Sequence, residues 1–283
     1  MTTVAAALAE ARRRGVASLD AQLLLARLLA TTRTRLIAHD ERTLTPVESR
    51  QWQELLERRL DGEPVAYLLG EKEFHGVVLE VGRDVLVPRP ETELVVDWAS
   101  EAITAETCRC SAAADRDALR VVDLGTGSGA IALALKAAHR QIDVTATDVS
   151  RAALLVARRN AERLGLAVTF VEASWWQGLE GGSFDIAIAN PPYIAADDRH
   201  LAALRHEPAL ALTPGLDGLA ALRTIVAGAG TALVPGARLL LEHGHDQAAA
   251  VRQMLCAAGF GHVETRRDLA GQERATGGRR PNS

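Results

Sequence analysis

The chain has 283 residues, of which 48% are hydrophobic, 24% charged and 4% aromatic, a balance that excludes disorder as the main state. Basic and acidic residues number 32 and 36, a formal charge of −4, so no overall cationic field exists to hold phosphate backbones. Cys108, Cys110 and Cys256 are too few and too unevenly spaced for a disulfide framework or a four-ligand zinc site, and no window approaches the roughly 18 apolar residues of a membrane span; a cytoplasmic protein is expected.

Taken in chain order, residues 4–60 carry a helical pattern, with Leu23, Leu24, Leu28 and Leu29 recurring at the spacing of one buried face. Ser18 suits an N-cap. Thr45-Pro46-Val47-Glu48 makes a capping box with proline at the first helical position, opening a helix to about residue 60. Residues 1–64 are therefore expected to form a small helical bundle. Over 65–90 the texture changes, because Val77, Val78, Leu79, Val81, Val85, Leu86 and Val87 lie between Gly70, Gly76, Gly82 and Pro88; a β-hairpin connector is expected. A helix over 91–103 follows, then a polar, Ala-rich loop over 108–117.

From residue 119 onward, strand-length apolar runs alternate with helical stretches. Strands are expected over 120–122, 144–147, 168–171, 184–189, 238–241 and 262–265, with helices over 130–139, 152–164, 219–233 and 247–258. That alternation predicts a doubly wound α/β domain with a parallel sheet covered on both faces. Residues 266–280, basic in places and containing Gly277-Gly278, are expected to be a solvated tail or a closing hairpin.

Asp123-Leu124-Gly125-Thr126-Gly127-Ser128-Gly129-Ala130 falls where a strand ends and a helix begins. Its glycines allow a tight turn and close ligand approach at a helix N-terminus. The same letters satisfy the relaxed dinucleotide fingerprint, so the motif alone leaves the cofactor open. Asp148 closes the next strand, where a carboxylate accepts hydrogen bonds from both ribose hydroxyls of an adenosine. A carboxylate at Asp123 would oppose a pyrophosphate but favour a ligand carrying a sulfonium and an ammonium, so S-adenosylmethionine fits better than NAD. The alternative for Asp123 is a carboxylate that accepts backbone N–H bonds within the turn.

Asn190-Pro191-Pro192-Tyr193 follows directly on the apolar run 184–189, at the strand edge where open α/β sheets place ligands. Two prolines remove backbone donors and restrict backbone angles, leaving a rigid acceptor. Such an acceptor suits a planar NH2 nucleophile whose lone pair is delocalised. The Asn190 side-chain oxygen and the Pro191 carbonyl would accept its two N–H bonds, aim the nitrogen at the methyl group and draw off charge as transfer proceeds. The Tyr193 ring would pack on the flat face of the acceptor. Asn190 is the catalytic candidate. His243-Gly244-His245 beside Glu242 lacks a third distant ligand and is read as structural, with no metal expected.

These motifs in this order resemble a known family. Glu73-Phe74-His75-Gly76, Leu86-Val87-Pro88-Arg89-Pro90-Glu91-Thr92-Glu93, the glycine turn, Asn190-Pro191-Pro192-Tyr193, His206-Glu207-Pro208 and Glu242-His243-Gly244 look like the HemK/PrmC family of peptide chain release factor N5-glutamine methyltransferases. The resemblance implies a class I S-adenosylmethionine-dependent methyltransferase, Rossmann-like, with an N-terminal helical substrate-binding domain at 1–64, the connector at 65–90 and the catalytic domain at 91–283. It implies methylation of the glutamine in the Gly-Gly-Gln loop of class 1 release factors. Gly125, Thr126, Gly127, Ser128, Gly129, Asp148, Trp175 and Asn190 would bind the cofactor, and Asn190, Pro191, Pro192 and Tyr193 the glutamine. Where the family commonly has an Asp-Trp-Phe-like triplet, this chain has Ser174-Trp175-Trp176, so a serine stands where a carboxylate would meet the adenine amino group. Expected partners are release factors, with no nucleic acid, no membrane and a monomeric enzyme. The rivals are a glutamine methyltransferase acting on a ribosomal protein and an adenine-N6 DNA methyltransferase, the latter disfavoured by the negative charge and the lack of a target-recognition domain.

Overall fold

The computed structural model describes residues 2–110, 118–215 and 217–282. The chain divides into two compact units, Met1–Glu71 and Lys72–Ser283.

The first unit is helical: α1 (Val4–Arg13), α2 (Ser18–Leu28), α3 (Arg33–Ala38), α4 (Pro46–Leu60) and α5 (Val65–Leu69). The capping box is formed as expected. The Glu48 N–H donates to Thr45 Oγ1 at 3.2 Å, and the Thr45 N–H donates to Glu48 Oε2 at 2.8 Å. Ser18, in contrast, is the first helical residue rather than the cap; Ala17 holds the cap position and contributes no side-chain bond. Trp52 and Leu56 of α4 close a core with Val4, Ala7, Leu24, Leu25 and Leu36, so this unit has its own buried centre. A second departure is α5, where helix replaces the expected connector over 65–69.

The hairpin is confined to β1 (Glu71–Phe74) and β2 (Val77–Glu80). Its two-residue turn, His75-Gly76, has positive φ at both positions (46° and 80°), the type I′ geometry whose twist matches paired strands. A 3-10 turn over Pro90–Thr92 then leads into α6 (Glu93–Cys110), which continues past the expected end at 103. Of the loop expected over 108–117, residues 111–117 lie outside the described residues.

The second unit is an α/β sandwich. Its elements continue as β3 (Arg120–Leu124), α7 (Ala130–Ala138), β4 (Asp143–Asp148), α8 (Arg151–Leu164), β5 (Thr169–Glu172), β6 (Phe184–Ala189), α9 (Ala220–Gly228), β7 (Leu233–Glu242), α10 (Ala248–Ala257), β8 (Gly261–Arg267) and β9 (Glu273–Arg279). Among the described residues seven strands form one sheet in the order β5-β4-β3-β6-β7-β9-β8. The first five run parallel, but β9 inserts antiparallel between β7 and β8, so the sheet is mixed rather than wholly parallel. Of the two expectations for residues 266–280, the closing hairpin is the one observed.

Both faces of the central strands are buried, as a covered sheet requires. Val122, Leu124, Ala187, Ala189, Leu239 and Leu241 join Leu222, Ile225 and Val226 of α9 and Val251 and Leu255 of α10 in one cluster. The alternate residues Val121, Ile186, Ile188 and Leu240 are equally buried on the opposite face, where α6 packs against β6 and β7 and α7 and α8 against β3, β4 and β5. The chain runs outward from β3 through β4 to β5, then returns to place β6 on the other side of β3. That reversal is a topological switch point, the place where open α/β sheets open a crevice at their carboxyl ends. Among the described residues no helix is long and apolar enough to cross a membrane.

Candidate active site

Register brings the motifs together. Leu124 pairs with Thr147 on one side and Ala189 on the other, so the residues that follow, Gly125, Asp148 and Asn190, emerge side by side at the carboxyl edge of the sheet. They open onto a cavity of about 450 Å³, within the range of small-molecule sites. Its lining includes Gly125, Thr126, Gly127, Ser128, Asp148, Trp175, Asn190 and Pro192. The connector contributes Asp84, Val85, Leu86, Pro88 and Arg89 to the same wall.

Three expected site residues do not line the cavity. Pro191 is buried. Tyr193 turns its hydroxyl toward Glu242 Oε1, at 3.4 Å, instead of presenting a ring to the cavity. Gly129 lies beneath the turn with φ of 85°, where an added Cβ would stand 2.8 Å from Leu133 Cδ1 and 3.4 Å from the Ala157 Cβ. Its role is helix packing. Gly129→Ala is expected to lower stability by about 1–3 kcal/mol through backbone strain and crowding. Denaturant titration would read this as an earlier midpoint, and an unchanged midpoint would refute it.

The turn itself is held by backbone bonds, since the N–H groups of Gly125 and Thr126 both donate to the Thr147 carbonyl, at 2.9 and 2.8 Å. Asp148 spans the mouth of the turn: Oδ2 accepts from the Gly127 N–H at 2.9 Å and Oδ1 from the Ser150 N–H at 2.8 Å. Burial raises its pKa, and these backbone donors oppose the shift. Asp123 sits below, 1% exposed, with Oδ2 accepting from the Thr126 hydroxyl at 2.6 Å and the Ala132 N–H at 3.2 Å. Burial pushes its carboxyl up to about 7 against those two bonds. Asp123 does not line the cavity, so of its two sequence readings the brace within the turn is the one the geometry supports.

The two tryptophans separate by function. Trp176 is buried and donates from Nε1 to the Ile225 carbonyl at 2.7 Å. Trp175 has φ of 51°, a left-handed conformation that bulky residues rarely adopt, and its ring lies over Gly125, where a Cβ would come within 3.1 Å of Cζ3. Glycine at 125 is what allows that ring to form a cavity wall. Ser174 also lines the cavity.

Asn190 is oriented by a neighbour that sequence reasoning missed. Its Nδ2 donates to Thr92 Oγ1 at 3.0 Å, so the amide oxygen is the end left for a ligand. Thr92, 4% exposed, belongs to the Leu86 to Glu93 motif, none of whose residues is among the sequence's site candidates. Glu207 and Asn160 were missed as well. Glu207, 7% exposed, accepts from the Val87 N–H at 3.1 Å and pairs with Arg89, clamping the connector wall of the cavity. Asn160, fully buried, donates to the Ser128 and Glu80 carbonyls at 2.9 and 3.0 Å and so ties the glycine turn to β2. Glu207 had a signal in the quoted His206-Glu207-Pro208 motif, whereas Asn160 lies mid-helix with none.

His243 is buried and its pKa lowered by burial. Nδ1 donates to the Gly244 carbonyl at 2.8 Å, leaving Nε2 to accept from Thr276 Oγ1 at 2.7 Å. No group of three metal-ligating side chains occurs among the described residues.

Residues 1–70 match the PrmC N-terminal domain and residues 97–207 the methyltransferase small domain. A release factor glutamine methyltransferase of Burkholderia pseudomallei is 48% identical over 273 residues, covering 93% of this chain and 92% of that protein. One from Xylella fastidiosa is 45% identical over 284 residues, covering 99% of each. Among solved structures, a methyltransferase from Pyrococcus furiosus superposes with a TM-score of 0.54 at 18% identity, over 82% of this chain and 98% of that one, a likeness of fold. With a class I methyltransferase sheet and identity of this extent along nearly its whole length, the chain belongs to the release factor glutamine methyltransferase family.

Proposed function

We propose that this chain is an enzyme that transfers the methyl group of S-adenosylmethionine to the side-chain amide nitrogen of the glutamine in the Gly-Gly-Gln loop of class 1 release factors. The observation that carries this reading is the Asn190 amide, its oxygen left free for a donor, on the same cavity as Asp148 and the glycine turn.

The cavity suits the cofactor chemically. Asp148 offers a carboxylate to two ribose hydroxyls, Trp175 a flat wall for adenine, and Gly125, Thr126, Gly127 and Ser128 close backbone approach. S-adenosylmethionine supplies the electrophilic methyl group. The glutamine amide is a weak nucleophile because its lone pair is delocalised. Asn190 Oδ1 accepts one of its N–H bonds, which turns the nitrogen toward the methyl group. As the N–C bond formed and the methyl–sulfur bond broke, with its electron pair going to the departing thioether, the Asn190 oxygen would meet the growing positive charge on nitrogen, and one proton would then leave the nitrogen for water. Pro192 fixes the direction of the preceding carbonyl, and Tyr193 anchors the segment through Glu242.

Residues 1–64, continued by α5 to residue 69, serve as the helical substrate-binding domain, the rest of the segment to residue 90 as the connector and 91–283 as the catalytic domain. The separate core closed by Trp52 supports the first of these. The acceptor is a protein, with neither nucleic acid nor membrane engaged, and the enzyme acts as a monomer in the cytoplasm; the charge of −4 supports the exclusion of duplex binding.

The test is transfer of labelled methyl to purified release factor, comparing the intact Gly-Gly-Gln loop with a Gln-to-Ala loop, with DNA and ribosomal protein as parallel acceptors. Label is expected only on the intact factor. Label that survives the loop change, or appears on another acceptor alone, overturns the substrate.

A further inference from the structure

Two consecutive prolines leave the acceptor segment short of anchors. Neither Pro191 nor Pro192 has a backbone N–H, so once β6 ends at Ala189 the chain offers the sheet no further donor until Tyr193. Asn190 nevertheless has to keep its amide in one place, because a misplacement of about 1 Å costs a transfer reaction about 10²-fold. The segment needs fixing at its far end, where Tyr193 leads into the loop toward α9.

That end is gripped by Gln247, in the turn between β7 and α10. The Gly244 N–H donates to Gln247 Oε1 at 2.9 Å, while Nε2 donates to the Tyr193 carbonyl at 3.0 Å and to the Gly218 carbonyl at 3.4 Å. A backbone N–H can only donate, so Gly244 turns the amide oxygen toward itself and commits the NH2 end to the two carbonyls. The backbone makes room for this side chain. Gly218 has φ of 68°, and a Cβ there would run into the Tyr193 carbonyl oxygen and stand 2.8 Å from Gln247 Nε2; at Gly244 a Cβ would stand 3.1 Å from Gln247 Oε1. The same turn holds the other end of Tyr193, since Glu242 accepts from its hydroxyl at 3.4 Å. Gln247 is not on the cavity wall, so any effect it has on transfer passes through the segment it holds.

We propose that Gln247 is a positioning residue for methyl transfer: by fixing the Tyr193 carbonyl from the turn after β7, it holds the Asn190-Pro191-Pro192-Tyr193 segment so that the Asn190 oxygen meets the glutamine. This rests on the role given to Asn190 under the proposed function. The link spans 54 residues of sequence and belongs to neither motif that meets at the cavity.

The experiment measures kcat and KM for methyl transfer to purified release factor, well below the thermal midpoint of each variant, with S-adenosylmethionine affinity by calorimetry. The variants are Gln247→Met, Gln247→Glu, Arg252→Met, Asn190→Ala, and Asn190→Ala combined with Gln247→Met. Gln247→Met keeps the length of the side chain and removes its three bonds; kcat is expected to fall about tenfold, with cofactor affinity within about threefold of wild type. Gln247→Glu keeps the acceptor for Gly244 but sets a carboxylate against two carbonyls, so its kcat falls at least as far, and it carries the test if Gln247→Met does not fold. Arg252 lies on the same helix but bonds Thr265 of β8, so Arg252→Met loosens α10 without reaching Tyr193 and is expected to keep wild-type kcat. In the Asn190→Ala background, Gln247→Met is expected to cost no more than about twofold further, because the residue through which it acts is gone, whereas independent losses would multiply. Wild-type kcat in either Gln247 variant, a further tenfold loss in the double variant, or an equal loss in Arg252→Met overturns the positioning role. Wild-type turnover in Asn190→Ala refutes the proposed function, whereas turnover lost there but unchanged in Gln247→Met refutes the positioning role alone.

Discussion

Asn190→Ala is expected to lower kcat for methyl transfer by about 10²–10³-fold while leaving the affinity for S-adenosylmethionine within about threefold of wild type. The separation follows from the geometry. Asn190 lines the cavity at the carboxyl edge of β6, and its side-chain nitrogen is already spent on Thr92. Only its oxygen can act on a ligand, and that oxygen is worth most when the amide nitrogen becomes cationic, which happens in the transition state and not in the bound ground state. The residues proposed to hold the cofactor, by contrast, mainly follow β3 and β4 on the wall of the cavity. Single-turnover transfer together with calorimetry would check both halves. Wild-type turnover would remove Asn190 from the chemistry, and loss of cofactor binding in parallel would show that its role is to build the pocket.

The second large effect concerns Asp148. Asp148→Ala is expected to weaken S-adenosylmethionine binding by about 100-fold, because two hydroxyls lose a charged acceptor and each such bond is worth about 1.5–3 kcal/mol before compensation by water. The same substitution strips the Gly127 and Ser150 N–H groups of their acceptor, so the turn loosens as well. Asp148→Asn keeps one acceptor of the same shape and is expected to lose less, about tenfold. Burial raises the pKa of this carboxyl, so wild-type affinity should fall on acidification and Asp148→Asn should show a flatter dependence. Calorimetric titration across pH reads both. Equal affinity in wild type and Asp148→Ala would take the ribose hydroxyls away from this carboxylate.

The legible part of the molecule is the part in which local sequence and local structure coincide. The capping box at Thr45 formed because its two bonds close within four residues and need nothing distant. The strand over 184–189 has the bounds that its sequence predicts, since a parallel strand buried on both faces is a nearly continuous apolar run, broken here by Asp185. The glycine turn and the Asn190-Pro191-Pro192-Tyr193 segment announce themselves because their backbone demands restrict which residues are allowed.

What the sequence could not disclose is which way side chains turn and which distant segments meet. Gly129 shares a motif with Gly125 and Gly127 but faces α8, a difference set by the path of the helix beneath it. Tyr193 belongs to the acceptor motif by position, yet its hydroxyl answers to Glu242, 49 residues away. Thr92 and Asn190 are 98 residues apart, and Glu207 reaches back 118 residues to Arg89. The closing strand β9 slips between β7 and β8, an order of strands that no local pattern encodes. By itself, then, the sequence determined the helical first region, the alternating α/β region and the two motifs that meet at the cavity, because periodicity and backbone restriction are local. Only the tertiary structure decided the polarity of Asn190, the brace at Asp123 and the wall held by Glu207. The first and the last are hydrogen bonds between segments far apart in sequence, whereas the bonds at Asp123 are local and it is burial that selects them; each forms where burial leaves a polar group no water to turn to.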